Sequence, residues 1–294
     1  MTTEPANARH EMHHEPLSER IGAVVSGIDL AEPFSAADQA ALREIMRERK
    51  LLLFRVPDLQ VAGQVALINC FANAWDEKGD GSFHIFVSNN KEGAVLGRPD
   101  GLLFHSDCSY MNAPLAVLSL YALEIPASPS PTVFANTVTA AGDLPAEIQA
   151  RLDDAQGLFV GGVGGYERLR SATAPAHANR VEHPLRYPDP LGGAPTLLID
   201  ELYFDQVVGW DLEDSDALRA EVHRHLFAER NVYVHHWQVG DLIIWNNVAL
   251  QHGRRPVPTD GPRTLRRAVG LDPSVTDYEH LTVRALEIEA AHRN

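Results

Sequence analysis

The spacing of apolar residues predicts a helix, a strand and a second helix in the first quarter of the chain. Ser35-Ala-Ala-Asp38 resembles a capping box, and the helix that it opens should run to about Lys50. An uninterrupted apolar run over 51–56 is typical of a buried strand, and residues 62–74 show the periodicity of a second amphipathic helix. Short strands and helices are therefore expected to alternate near the start of the chain.

The rest of the chain is dominated by short apolar segments of strand length. Helical periodicity returns only at 144–152 and 214–228, whereas strands are predicted at 23–25, 116–123, 132–135, 196–199, 231–237, 241–246 and 264–270. Two glycine-rich segments carry few strand signals, so we interpret 76–101 as a mobile loop and 156–182 as a flexible lid. This pattern indicates a mainly β protein with flanking helices, of the jelly-roll type.

We predict one domain, because no internal repeat or linker divides the sequence. Residues 1–16 are polar and are expected to be a disordered tail, which leaves 17–294 as a single domain. A jelly-roll core of this kind offers a ligand cavity at its mouth.

Composition narrows the class of protein. The 294 residues are 45% hydrophobic, contain no apolar run of membrane-spanning length, and include only two cysteines. With no signal-peptide pattern at the N-terminus, these features favour a cytoplasmic protein. A formal net charge of −15 disfavours nucleic acid and anionic membranes as partners and leaves a small-molecule substrate. The sequence leaves the oligomeric state open, a homo-oligomer included.

The candidate chemistry begins with His105 and Asp107, joined by a distant His252. Residues i and i+2 of an extended segment point to one side, so the first two side chains can reach one ion. Two imidazoles and one carboxylate can occupy one face of an octahedral Fe(II) and leave positions open for other ligands. Taken alone, however, the pair is better explained as an Asp–His hydrogen bond near a strand end.

The residues that follow His252 favour the metal site. Arg263 lies eleven residues beyond it, where a neighbouring strand can direct the side chain into the same cavity. An arginine there can bind a carboxylate through two parallel hydrogen bonds. A dicarboxylate could then chelate the metal at one end and contact Arg263 at the other.

Taken in order, these motifs resemble the taurine dioxygenase and 2,4-dichlorophenoxyacetate dioxygenase family of Fe(II)- and 2-oxoglutarate-dependent oxygenases. The resemblance covers nearly the whole chain, through Ile21–Leu30, Leu51–Arg55, the His105–Asp107 segment, His183–Arg186, Gly240–Trp245 and His252 with its trailing arginines. It implies a double-stranded β-helix core, with Fe(II), 2-oxoglutarate and dioxygen as cofactor and co-substrates.

The resemblance also implies roles for individual residues. His105, Asp107 and His252 match the iron ligands, while Arg263 and Thr132 match the pair that holds the far carboxylate of 2-oxoglutarate. Arg267 matches an arginine that contacts an anionic group of the substrate; alternatively, it only orients the metal-bound end of 2-oxoglutarate or pairs with a nearby acid. Because even offsets on a strand share a face, Arg263 and Arg267 should both point into the barrel, while Arg266 points away as a surface or salt-bridge residue. Where the chain departs from its relatives, Tyr203 is expected to line the substrate pocket. Trp245 also matches a family tryptophan, but we expect it to be a core aromatic residue.

Three departures from the family pattern bear on the substrate. Ser128–Pro131 replaces a glycine pair before Thr132, and Trp245-Asn-Asn-Val248 replaces Trp-Asp-Asn-Arg. The segment Ala72–Asp76 contains no histidine where taurine dioxygenase has a substrate-binding one. Iron and 2-oxoglutarate binding are therefore expected, whereas taurine is disfavoured as the substrate.

The sequence thus predicts hydroxylation, desaturation or epoxidation of a small organic molecule, in secondary metabolism, with release of succinate and CO2. Halogenation is disfavoured because the halogenases of this family lack the carboxylate that Asp107 supplies. Two alternatives stay open: a cupin-type isomerase or hydrolase that uses the same triad, and an inactive binding protein on this fold. Arg263 and Thr132 argue against the first, and the intact triad argues against the second.

Overall fold

The computed structural model describes residues 12–95, 100–163, 166–257 and 260–275. Within these residues most of the ordered chain is strand, in the order β1 (His13–Pro16), β2 (Ala23–Ser26), β3 (Leu51–Arg55), β4 (Asn73–Trp75), β5 (Ile85–Ser88), β6 (Leu102–His105), β7 (Val117–Glu124), β8 (Thr132–Asn136), β9 (Gln156–Gly161), β10 (Asn179–Pro184), β11 (Arg186–Tyr187), β12 (Thr196–Leu197), β13 (Phe204–Val207), β14 (Val232–His235), β15 (Asp241–Asn246), β16 (Leu250–Arg254) and β17 (Thr264–Leu271).

The helices within the described ranges are few and short. They are α1 (Ala36–Arg49), α2 (Val61–Asn69), α3 (Thr137–Asp143), α4 (Ala146–Leu152) and α5 (Leu212–Leu226). The predicted capping box is confirmed, because the Ser35 side chain accepts from the Asp38 N–H and the Asp38 side chain accepts from the Ser35 N–H. No helix among the described residues is both long enough and apolar enough to cross a membrane.

The largest sheet has the order β1-β2-β3-β15-β7-β17-β4, with β5 also paired to β17. Alternation of side chains gives this sheet two apolar faces. One face, which includes Leu52 and Ile244, packs against α1 and α2. The other face includes Leu118, Trp245 and Leu265 and packs against a second sheet.

The second sheet has the order β14-β8-β16-β6. Phe134 of β8 and Leu250 of β16 are fully buried in the same apolar cluster as Ile243 and Trp245 of the large sheet. The two sheets therefore face each other across a shared core, and residues at one end of that core line a cavity.

A third apolar cluster joins the remaining strands to the helices. It includes Phe159 of β9, Phe204 of β13 and Leu218 of α5. Here the structure corrects the sequence analysis, because 156–182 contains β9 and the first four residues of β10. The two strands are antiparallel, with Gln156 opposite Pro184 and Gly161 opposite Asn179. The two ends of the predicted lid are therefore sheet, whereas its middle, 162–178, contains no strand among its described residues; residues 164 and 165 lie outside the described ranges.

Two other predictions from local sequence were wrong in part. The segment 76–101, expected to be a loop, contains β5, which pairs with β17 from Ile85 to Ser88. The tail predicted for 1–16 overlaps β1, whose residues His13–Pro16 pair with β2, while residues 1–11 lie outside the described ranges. In both cases the partner strand supplies the hydrogen bonds that local propensity does not reveal.

Candidate metal centre

Two histidines are brought together by the pairing of β6 with β16. His105 is the last residue of β6, and its register partner on the antiparallel β16 is His252. Their ring centroids lie 4.3 Å apart. Because directly opposite residues on neighbouring strands share a face, both imidazoles project to the same side of the small sheet.

Asp107 completes the cluster from the turn that follows β6. One ligand atom from each of His105, Asp107 and His252 can be chosen so that all three lie within 4.8 Å of one another. The separation suits a single ion bound by three residues on one side. The predicted triad is thus assembled in space from two segments that are distant in the sequence.

The hydrogen bonds of the histidines fit a metal. The His105 Nδ1 donates to the Leu103 carbonyl at 2.8 Å, so Nε2, 3.0 Å from an Asp107 oxygen, is the nitrogen on which a metal would take the place of a proton. The Nδ1 of His252 is buried and has no hydrogen-bond partner among the described residues. A nitrogen and carboxylate donor set of this kind suits Fe(II).

Asp107 is held in place through its backbone by Asn247. The Asn247 side-chain oxygen accepts from the Asp107 N–H at 2.9 Å, and its amide nitrogen donates to the Asp107 carbonyl at 3.0 Å. The next residue, Cys108, has a φ of 61°, in the left-handed region that few side chains adopt. The sequence analysis noted the departures on either side of Asn247, at Asn246 and Val248, and missed this clamp.

The local charges favour the ligand forms of His252 and Asp107, whereas they favour the protonated form of His105, whose proton a metal would have to displace. Burial, followed by the nearby His105, lowers the pKa of His252 to about 3. Burial opposes ionisation of Asp107, but the charge of Arg267 and the His105 hydrogen bond hold the pKa of that carboxyl well below its usual range. Burial alone would lower the pKa of His105, yet the hydrogen bond and charge of Asp107 raise it.

Arg267 does not stand free in the cavity. One guanidinium nitrogen donates to Asp107 Oδ2 at 2.9 Å, and another donates to Glu77 Oε1. The arginine therefore links a candidate metal ligand to a second acid, as one reading of the sequence allowed. Glu77 lies in the segment that was interpreted as a loop, and sequence analysis missed it.

Arg263 and Thr132 lie at another part of the same cavity. Arg263 is almost completely buried, and its Nε and Nη1 have no hydrogen-bond partner among the described residues. Burial, followed by the charge of Arg254, lowers the pKa of Arg263 to about 9. A buried cation that lacks an anion is costly, so this guanidinium is poised to receive one.

Thr132 is oriented by a residue that sequence analysis did not single out. Trp237 Nε1 donates to Thr132 Oγ1 at 3.0 Å, which occupies the hydroxyl as an acceptor and leaves its proton to be donated. Thr132 and Arg254 are register partners on β8 and β16, so the hydroxyl lies on a strand that adjoins the histidine strand.

Alternation along β17 separates its arginines as predicted. Arg263, just before the strand, and Arg267 both line the cavity. Arg266 points to the opposite face, where it donates to Gln64 Oε1 at 2.7 Å and to the Leu59 carbonyl. Its predicted role as a surface or ion-pair residue was wrong, because it is buried among neutral acceptors against α2.

The cavity that contains these groups has a volume of about 350 Å³. Tyr203 lines it and lies edge-on to His105, with ring centroids 5.9 Å apart. Trp245 is fully buried, as expected of a core residue, and also reaches the cavity. Most of the other walls are aromatic or aliphatic and include Trp75, Ile85, Val87, Leu118, Leu120 and Leu265.

Comparison with known proteins agrees with this architecture. The model of the "Taurine catabolism dioxygenase TauD, TfdA family" matches residues 13–269. The chain is 27% identical to an alkylsulfatase of Acinetobacter baylyi, over 95% of this chain and 91% of that protein. It is 26% identical to an alpha-ketoglutarate-dependent 2,4-dichlorophenoxyacetate dioxygenase of Cupriavidus pinatubonensis, over 88% and 98%.

The fold is shared with solved structures. A taurine dioxygenase from Burkholderia xenovorans superposes with a TM-score of 0.71 at 24% identity, over 88% of this chain and 91% of that one. The family match extends over most of the chain, from β1 to β17, and includes the three clustered residues. The chain therefore belongs to the TauD/TfdA family of non-haem iron, 2-oxoglutarate-dependent dioxygenases.

Proposed function

We propose that this chain binds Fe(II) through His105, Asp107 and His252 and uses 2-oxoglutarate and dioxygen to oxidise a small organic substrate. The observation that carries the proposal is the presence, in one cavity, of the three clustered ligands and the buried guanidinium of Arg263. A metal site alone would suit several cupin-type enzymes. A buried cation across the cavity suits a metal-bound dicarboxylate in particular.

The two facing sheets support the assignment of a double-stranded β-helix. The candidate ligands lie at one end of the small sheet, and the large sheet closes the opposite wall through Leu118, Leu120 and Leu265. Such a core holds the ligands on paired strands, and only Asp107 comes from a turn. A rigid scaffold of this kind fixes ligand geometry better than loops can.

The protein contributes positioning and shielding. Arg263 would hold the far carboxylate of 2-oxoglutarate, with a second hydrogen bond from the Thr132 hydroxyl that Trp237 orients. The apolar walls would exclude water from the reacting atoms, and Tyr203 would pack against the His105 side of the site. Iron and 2-oxoglutarate, when bound, supply the oxidising chemistry, with succinate and CO2 as products.

The substrate class follows from the walls of the cavity. Aromatic and aliphatic side chains outnumber polar ones, which favours a substrate with an apolar body. The 2,4-dichlorophenoxyacetate dioxygenase relative acts, by its name, on such a molecule. A place in secondary metabolism, a cytoplasmic location and the choice among hydroxylation, desaturation and epoxidation stay predictions.

The direct test is succinate formation from 2-oxoglutarate by the Fe(II)-loaded protein, screened against small organic compounds with mass spectrometry of the products. We expect succinate release that depends on dioxygen and is stimulated by the substrate. His252→Ala should abolish it, because one ring nitrogen is lost from the metal site. The matched control is His236→Ala, since His236 is an exposed histidine that does not line the cavity and should leave turnover unchanged.

The alternatives make different predictions. An isomerase or hydrolase on the same triad would convert its substrate without consuming 2-oxoglutarate, and an inactive binding protein would release no succinate at all. Substrate conversion without 2-oxoglutarate, or full activity of His252→Ala, would contradict the proposed function.

A further inference from the structure

The two arginines on the cavity side of β17 have different surroundings. Arg263 and Arg267 are four residues apart, roughly 13 Å along an extended strand. The Arg263 guanidinium has two nitrogens without a partner among the described residues, whereas Arg267 donates to two carboxylates, Glu77 and Asp107. Of these two arginines, only Arg263 therefore lacks a carboxylate partner among the described residues and can offer its charge to an anion.

The Arg267 end instead offers an acceptor. Glu77 uses Oε1 to accept from Arg267, but its Oε2 is buried and has no hydrogen-bond partner within the described ranges. A buried carboxylate oxygen without a donor is costly and is satisfied by any ligand that supplies an N–H or O–H. Glu77 lines the cavity, so its carboxylate belongs to the wall that a ligand there would contact.

The charges at this end oppose an anionic head group. Glu77 and Asp107 both accept from Arg267, so the charge of this guanidinium is already shared between two acids before a substrate binds. A carboxylate, sulfonate or sulfate that approached Arg267 would have to displace one acid and would then lie beside it. Like charges forced together in a partly desolvated pocket disfavour binding.

The aromatic residues that line the same cavity suit a substrate head group that donates a hydrogen bond or carries a positive charge. Trp75, Tyr110, Tyr166 and Tyr203 all line the cavity together with Glu77. Aromatic faces attract ammonium groups, and tyrosine hydroxyls can accept hydrogen bonds from neutral ones.

From these observations we infer that Glu77 selects substrates whose head group donates a hydrogen bond, an alcohol or an amine, and rejects the anionic heads that a lone arginine would attract. The inference rests on the proposed function, because it concerns the substrate end of that same site. It assigns Arg267 as a positioning residue for Asp107 and Glu77 rather than as the partner of a substrate anion.

The test uses three probes that share one apolar body and differ in the head group. They are 2,4-dichlorophenoxyacetate, 2-(2,4-dichlorophenoxy)ethanol and 2-(2,4-dichlorophenoxy)ethylamine, which are anionic, neutral and cationic. Each is titrated by calorimetry into the anaerobic Fe(II)- and 2-oxoglutarate-loaded protein. We expect the alcohol and the amine to bind at least about tenfold more tightly than the acetate, since one charge-assisted contact is gained or lost.

The variant Glu77→Gln keeps the size of the side chain and can still accept from Arg267. It turns the spare acceptor into an amide donor, so we expect the preference to shift toward the acetate by about tenfold or more. The matched control is Glu92→Gln, which removes one exposed acid from the same segment without touching the cavity, and should leave the order of affinities unchanged.

Tighter binding of the acetate by the wild-type protein, or equal affinities for the three probes, would overturn the inference. So would a Glu77→Gln protein with an unchanged order of affinities. The visible band that forms when 2-oxoglutarate binds the iron separates the two claims. If the band forms but the three probes bind in another order of affinity, the inference about Glu77 is wrong and the proposed function stands. If no band forms, the proposed function itself is wrong.

Discussion

At the residue scale, the candidate site depends on residues that position the metal ligands without binding the metal themselves. Asp107 leaves β6 at a turn, so neither strand pairing nor a helix fixes its backbone. Asn247 does so instead, with both ends of its buried amide bound to Asp107 and a further donation to the Leu115 carbonyl. Partners of metal ligands commonly affect the metal affinity nearly as strongly as the ligands do.

We therefore expect Asn247→Ala to weaken Fe(II) binding by about 10- to 100-fold. The measurement is the dissociation constant of the metal from the anaerobic protein. Asn231→Ala is the matched control, because Asn231 is also fully buried and hydrogen-bonded but lies away from the cavity. That variant should lose stability without losing metal affinity. Equal metal affinities in the two variants would show that Asn247 does not position Asp107.

At the scale of the element, β17 presents different chemistry on its two faces. Arg263 should bind the far carboxylate of 2-oxoglutarate through charge-assisted hydrogen bonds worth on the order of 1.5–3 kcal/mol. We expect Arg263→Gln to raise the 2-oxoglutarate dissociation constant by at least about tenfold while Fe(II) still binds. Arg266→Gln serves as control, since that side chain contacts α2 on the other face and should alter stability alone. An unchanged titration for Arg263→Gln would remove the assignment.

Helix α5 carries a pH-sensitive histidine. Burial lowers the pKa of His223 to about 4, and its Nε2 donates to the Ile199 carbonyl at 3.0 Å. In the unfolded chain the histidine takes up a proton near pH 6.5, whereas in the folded chain it does so only near pH 4. The free energy of unfolding is therefore highest above pH 6.5 and decreases as the pH falls toward 4. The loss should be about 3 kcal/mol.

Urea unfolding at a series of pH values measures this loss for the apo protein. His223→Gln keeps a side-chain donor for the Ile199 carbonyl without a titrating ring, and it should flatten the decline between pH 6.5 and 4. A decline that His223→Gln does not change would mean that the buried neutral ring is not its cause.

The sequence predicted well those features whose contacts lie within a few residues, and poorly those whose contacts are distant along the chain. The α1 capping box and the alternation of Arg263, Arg266 and Arg267 are encoded within a few residues, and both are present in the structure. Strand β5 is short and flanked by turn-forming residues, and its hydrogen bonds go to β17, far along the chain. Such pairings are set by tertiary context rather than by propensity.

At the scale of the whole molecule, the site exists only when the two sheets are assembled. The strands β6, β8 and β16 supply the clustered ligands and Thr132, while β15 and β17 supply the facing wall. The resemblance to a known family predicted the ligand set and the arginine partner from the sequence. Glu77, Asn247 and Trp237 could not be predicted, because each acts through a contact with a residue distant in the sequence.

Assembly of the site links stability to ligand binding. Fe(II) and 2-oxoglutarate should bind the folded chain alone, and an excess of about 100 times the dissociation constant should stabilise it by about 2.7 kcal/mol. For a chain of this size the midpoint of thermal unfolding should rise by a few degrees. Under anaerobic conditions 2-oxoglutarate should add to the shift only when the metal is present. A full shift with 2-oxoglutarate alone would place its binding site away from the metal.

The central claim is that one cavity holds a metal on His105, Asp107 and His252 and a dicarboxylate between that metal and Arg263. An anaerobic titration of the Fe(II)-loaded protein with 2-oxoglutarate, followed by visible absorption, tests it most directly. The account predicts a weak charge-transfer band that saturates at one 2-oxoglutarate per iron, is absent from His252→Ala, and requires more 2-oxoglutarate in Arg263→Gln. A protein that binds both iron and 2-oxoglutarate without forming this band would contradict the account.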